Sequence, residues 1–109
     1  MTLWKWAAVF LLVGSPGPLP DRVYLFTSKN CGPCRRVAAE TLPALRRRGV
    51  RIGEENGNDI QPVDCEKNPD WVRRFGIESI PAWVKIRGNV ITGRRTGFLT
   101  ADEYLEWAE

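Results

Sequence analysis

Eight consecutive residues, Lys29-Asn30-Cys31-Gly32-Pro33-Cys34-Arg35-Arg36, constrain this chain more than any other stretch. They hold a Cys-x-x-Cys directly after an apolar run, Val23-Tyr24-Leu25-Phe26, and directly before a helix-like run, Arg35 to Arg48. A strand that delivers two cysteines onto the first turn of a helix is an arrangement for redox chemistry. The thiolate is the reactive form of cysteine. The free amides at a helix N-terminus, with about +0.5 of a charge, favour that anion. Cys31 takes this benefit, and Cys34, one turn on, is expected to lie deeper. That asymmetry separates an attacking thiol from a resolving one.

The rest of the composition narrows the chemistry. There are three cysteines and no histidine. An odd cysteine count argues against a purely structural disulfide framework. Without histidine there is no His-based general base, no Cys-His protease and no His-containing zinc site. Cys65 lacks a cysteine partner at metal spacing, so no metal and no cofactor is expected. The 109 residues suffice for one domain and one modest core, and 43% hydrophobic with 27% charged is ordinary for a globular protein. Net charge is +3, with eight basic residues against two acids from Asp21 to Gly53. Three of those, Arg46 to Arg48, suit the C-terminal end of a helix. No aromatics interleave with them, so nucleic acid is not an expected partner.

Met1 to Val13 carries one charge, Lys5, and a seven-residue apolar run, Ala7 to Val13. That is far short of the ~20 residues of a transmembrane helix, but it reaches the ~7–15 of a signal-peptide core. The bland alternative is a buried strand or short helix added to the domain. Export or membrane anchoring, with membrane contact through residues 1–13, is favoured over a cytoplasmic location. The breaker cluster Gly14 to Pro20 sets the boundary between an N-terminal segment, 1–20, and a domain, 21–109.

Within the domain, Arg22 to Thr27 predicts a strand, and Cys31 to Arg48 a helix that Pro43 should kink or break. Cys34, Ala38, Leu42 and Leu45 fall near one face of that helix, flanked by Val37 and Thr41. Val50 to Ile52 starts a further strand, Glu54 to Asp59 a polar loop, and Ile60 to Cys65 a second main strand. Asn68-Pro69 opens a short helix through Phe75, and Gly76 stops it. Ala82 to Arg87 alternates, Gly88-Asn89 is a two-residue hairpin signal, and Val90 to Thr96 returns. Thr100-Ala101-Asp102-Glu103 is a capping box for a last helix with Ala101, Tyr104, Leu105 and Ala108 on one stripe. The order is strand, helix, strand, helix, strand, strand, helix: an α/β pattern with parallel strands across the helices and an antiparallel final hairpin.

From Asp21 to Glu109 the chain resembles thioredoxin. The features run in that family's order: Cys31-Gly32-Pro33-Cys34 after a strand, Asn68-Pro69, then Phe75-Gly76-Ile77-Glu78-Ser79-Ile80-Pro81, then Lys85 to Asn89 and Gly97. The resemblance implies a thioredoxin fold, with a central mixed four- to five-stranded sheet flanked by helices on both faces. It implies a cis bond at Pro81, packed against the cysteine pair, with the Ile80 backbone pairing to an extended substrate chain. It further implies a protein-disulfide oxidoreductase with Cys31 and Cys34 catalytic, Asn30, Gly32 and Pro33 in the active-site loop, and Ile80, Pro81 and Gly97 at the substrate. Trp71, Trp83 and Trp107 read as core or rim aromatics; Trp83, opposite Val84 and close to Pro81, is the one placed to border the substrate groove. The implied partners are protein disulfides and a thioredoxin-reductase-like or membrane electron donor, with the chain a monomer. The alternative is a redox-inactive thioredoxin-fold binding module or subunit of a larger assembly.

The chain also differs from the family. Asn30 stands where thioredoxins usually carry Trp, and Leu25 where they usually carry a buried Asp that assists the deeper thiol. Lys29, Glu40 or water are the candidate substitutes for that acid. Pro43 comes nine residues after Cys34 rather than five. The loop from Glu54 to Asp59 reads as an insertion, and the family's opening strand and helix have no clear match in Met1 to Pro20. Cys65 reads as a small packing residue at a strand end.

Overall fold

Val23-Tyr24-Leu25-Phe26 forms the centre of strand β1 (Arg22–Thr27), and all four side chains are buried. An uninterrupted apolar run is what a strand covered on both faces requires. The computed structural model describes residues 19–54 and 57–109, so the expected roles of residues 1–18 lie outside the described residues. Around β1 stand β2 (Ile60–Asp64), β3 (Ala82–Arg87) and β4 (Val90–Thr96), in the order β2-β1-β3-β4. β1 pairs with β2 in parallel and with β3 antiparallel, and β3 and β4 form an antiparallel hairpin. The sheet is therefore mixed and, among the described residues, four-stranded.

The side chains of β1 divide between two cores. Val23 and Leu25 face the helices that follow the cysteines, α1 (Gly32–Arg36) and α2 (Leu42–Arg47), together with the C-terminal helix α4 (Ala101–Ala108). Tyr24 and Phe26 face helix α3 (Pro69–Phe75), packing with Phe75, Ala82, Val84 and Ile86. Tyr24, Phe26, Trp71 and Phe75 form one aromatic cluster, with Trp71 and Phe75 stacked at 5.4 Å. Each large side chain buried this way contributes roughly 1.5–3 kcal/mol before entropy is subtracted.

Of the kink or break expected at Pro43, the break does not occur: the helix widens instead. A proline lacks the N–H that would bond the carbonyl four residues back, and its ring collides with that carbonyl. The chain answers with a π turn over Val37–Thr41, in which the Leu42 N–H bonds the Val37 carbonyl five residues back. Helical residues continue from α1 through this turn into α2. The extra residue rotates the buried face. Val37, Thr41, Leu42 and Leu45 are buried, whereas Ala38, expected on that face, is exposed.

Three other segments depart from expectation. Val50 to Ile52 makes no strand; only Ile52 forms an isolated bridge, to Ile60. Arg51 instead holds the loop, its side chain and N–H both donating to the Asp59 carboxylate. β2 ends at Asp64, and Cys65 follows it with its N–H bonded to the Thr27 carbonyl. Trp83 occupies the α4 side of the sheet, fully buried against Tyr104 at 5.3 Å.

Local signals set the remaining boundaries. α3 ends at Gly76, which adopts the left-handed conformation at φ 63° that a residue with a Cβ resists. Gly88 and Asn89 both have positive φ, at 59° and 63°, as a type I′ hairpin requires. Asn89 Oδ1 accepts from the Leu19 N–H at 2.8 Å, and Asp21 Oδ1 accepts from the Gly88 N–H at 2.8 Å. The hairpin tip thus clamps the approach to β1. The capping box at α4 is complete, with Thr100 and Glu103 exchanging side-chain-to-backbone bonds.

Candidate active site

β1 delivers the chain to the site. After Thr27 a short turn places the Cys31 N–H on the Ser28 carbonyl and the Asn30 N–H near the Ser28 hydroxyl. Cys31 then caps α1 in extended backbone, and its sulfur accepts from the Cys34 N–H at 3.2 Å. This is the role of an N-cap side chain, with sulfur in place of the usual oxygen. Pro33 sits in the first turn, where its missing N–H leaves no bond unmade. The sulfurs of Cys31 and Cys34 are joined as a disulfide.

The pair is asymmetric. Cys34 is 3% exposed and Cys31 is only half-buried. Gly32 and Pro33 are exposed on the turn between them, and Asn30 is exposed beside it. A side chain at Gly32 would meet nothing within 4 Å. One sulfur is thus open to a large partner and the other is screened behind it.

Ile80 comes to the same place from the other side of the chain. Its carbonyl oxygen stands 3.8 Å from Cys31 Sγ. The Ile80–Pro81 peptide is cis, and Pro81 is buried. Among the described residues neither the N–H nor the carbonyl of Ile80 makes a backbone hydrogen bond. Gly97 braces this corner: its N–H donates to the Pro81 carbonyl at 2.8 Å and its carbonyl accepts from Trp83 Nε1 at 3.0 Å.

Trp83 is the correction at this site. Its indole offers no surface to a substrate, because the residue is fully buried and its single donor is taken by Gly97. β3 is covered on both faces, so the side opposite Val84 is a second core rather than solvent. Asn30, Cys31, Gly32, Pro33, Cys34, Ile80, Pro81 and Gly97 gather at one end of the sheet; Trp83 lies beneath them.

Behind Cys34 lies a cleft of about 350 Å³, lined by Leu25, Lys29, Cys34, Arg35, Leu42 and Asp64 among others. Leu25, at the position where the resemblance calls for an acid, forms its apolar floor and is 1% exposed. Lys29 lines the cleft. Glu40 does not, since it is held at the surface by Arg36 at 3.1 Å. The carboxylate that does line it, Asp64, was not singled out from the sequence. It ends the strand parallel to β1, directly across from Thr27.

The third cysteine is not part of the disulfide pair. Cys65 is free, half-buried, and packed against the α3-side core. Burial, then the neighbouring charges of Asp64 and Glu66, push its thiol above the ordinary range. Among the described residues no group of three or more His, Cys, Asp or Glu side chains is placed to hold a metal ion.

No protein-family model and no curated sequence matches the chain. Solved structures do. Thioredoxin-2, described as a component of the malaria parasite protein secretion machinery, is 20% identical with a TM-score of 0.62, over 82% of each chain. The reduced Schistosoma mansoni thioredoxin pre-protein is 19% identical with a TM-score of 0.61, covering 94% of this chain and 87% of its own. Spinach chloroplast thioredoxin f is 24% identical with a TM-score of 0.57, over 81% of this chain and 74% of its own. At this level of identity the likeness establishes the fold. The mixed sheet with helices on both faces is a thioredoxin fold.

Proposed function

We propose that this protein is a thioredoxin-like thiol–disulfide oxidoreductase acting on protein disulfides through the Cys31-Gly32-Pro33-Cys34 dithiol. The observation that carries the reading is the pairing of one accessible and one buried sulfur at a helix start, with the Ile80 carbonyl 3.8 Å from the accessible one. In the reducing direction the Cys31 thiolate attacks one sulfur of a substrate disulfide. The substrate S–S bond breaks, a Cys31–substrate disulfide forms, and the departing thiolate takes up a proton. Cys34 then gives up its proton and attacks Cys31 Sγ. The second substrate thiolate leaves, and the Cys31–Cys34 disulfide is restored. Two electrons have moved from the protein to the substrate. The N–H and carbonyl of Ile80, neither of which bonds to another backbone group among the described residues, support a substrate chain lying extended across Pro81.

The dithiol needs no bound cofactor for this exchange; it needs an external donor. In this reading the donor is a thioredoxin-reductase-like protein or a membrane-bound reductant, the protein acts as a monomer, and residues 1–13 export or anchor it.

Reduction of insulin by dithiothreitol tests the reading. Wild-type protein is expected to accelerate it, Cys31→Ala to abolish the acceleration, and Cys34→Ser to accumulate a mixed disulfide with substrate. Turnover no faster than dithiothreitol alone would sink it. Full biological function retained by both variants would move the protein to a redox-inactive binding role.

A further inference from the structure

We infer that the face around Cys31 selects disulfides flanked by acidic residues, an inference that rests on the oxidoreductase reading above. Arg35 Nη1 donates to the Lys29 carbonyl at 3.1 Å, which holds the guanidinium against the loop leading into Cys31. Lys29 and Arg35 are both exposed, and neither joins an ion pair among the described residues. Arg36 behaves differently. It pairs with Glu40 at 3.1 Å and lies 4.0 Å over the Phe98 ring, so its charge is largely answered within the protein.

Few carboxylates oppose this pair of cations. No acidic residue occurs between Asp21 and Glu40. Asp64 shares the cleft behind Cys34 with Lys29 and Arg35, and one of its oxygens accepts from the Glu66 N–H at 2.9 Å. Beyond Pro81 a smaller cleft of about 180 Å³ sets Arg94 and Arg95 against Glu78. Arg95 also lines a neighbouring cleft with Asp102, Glu103 and Glu106, so the field on that side is weaker. The net result is a positive rim, strongest at Lys29 and Arg35, on the loop and helix turn that flank Cys31, with Asp64 the one carboxylate lining their cleft. Such a rim raises the encounter rate of an oppositely charged partner by about 10-fold or more at low salt, and salt screens it.

The test offers the reduced full-length protein two peptide disulfides that differ only in flanking residues, Glu in one and Lys in the other. The Glu peptide is expected to be reduced roughly 10-fold faster at about 0.02 M salt, the advantage falling below about 2-fold at about 0.5 M. Lys29→Gln with Arg35→Gln should erase the preference. Because Arg35 also braces the loop, Lys29→Gln alone, which leaves that bond to the backbone intact, should reduce it. Equal rates for the two peptides in wild-type protein, or a preference unchanged in both variants, would overturn the inference and leave the oxidoreductase reading standing. Reduction of neither peptide would overturn that reading, and the inference with it.

Discussion

The Thr41 hydroxyl donates to the Leu99 carbonyl at 2.5 Å, and both residues are buried. This bond joins the π turn that follows Cys34 to the segment that leads from β4 into α4. Thr41→Val keeps the shape but removes the donor, leaving a carbonyl without its partner in the core. The expected loss is about 1–3 kcal/mol of unfolding free energy, with Thr41→Ser recovering most of it. A denaturant titration of the three proteins checks this; equal midpoints for Val and Thr would show that the bond contributes nothing.

Trp83 is a second place where stability and function can be told apart. Trp83→Phe removes the bond to the Gly97 carbonyl and leaves space against Tyr104. The expected cost is roughly 2–3 kcal/mol. The rate of disulfide reduction at saturating folded protein should stay within about 2-fold, because the indole touches no surface. A large rise in KM with unchanged stability would place the indole in a substrate groove after all.

Cys65 should be the slow cysteine. Its folded-state pKa is raised, so it remains a neutral thiol through neutral pH, and the thiolate is the form that alkylates. In reduced native protein at about pH 8, iodoacetamide is expected to label Cys31 well before Cys65, and urea should abolish the difference. Mass mapping of the labelled peptides reads this directly. Labelling of Cys65 as fast as Cys31 in native protein would contradict the burial assigned to it.

The loop around Asp59 should be acid-sensitive in a defined direction. Hydrogen bonds from the Arg51 side chain and N–H hold the Asp59 carboxyl below its ordinary value. A carboxyl lowered on folding adds stability above its unfolded pKa, and that stability is lost as pH falls through the lower folded value. Wild type should therefore exceed Asp59→Asn in thermal stability at pH 7. The gap should be small, since the pair is about half exposed, and should close below about pH 4. A gap that widens on acidification would show the sign to be wrong.

What the sequence made legible follows from where a single local rule decides the outcome. Gly88-Asn89, the Thr100–Glu103 box and Gly76 each carry their own geometry, and the elements they bound fall where expected. The cysteine pair and its asymmetry were equally legible, because a cap position and a helical turn place them. Position 83 was not. Alternation along Ala82, Val84 and Ile86 identifies one core face, but it says nothing of a second core formed by helices distant in sequence. Pro43 was read through its clash with the preceding turn, and periodicity alone cannot show that a helix will widen rather than stop. Asp64 is not legible in the sequence, because its place beside Cys34 depends on the register between β1 and β2, a tertiary fact.

The clamp between Leu19 and Asn89 fixes where the chain enters this domain. It lies at the hairpin end of the sheet, and the length of β1, roughly 17 Å at ~3.3 Å per residue, separates it from the turn that carries the cysteines. Leu19 therefore stands at the pole opposite Cys31. A tether attached at Leu19 itself would leave the Cys31–Cys34 disulfide on the far side of the domain.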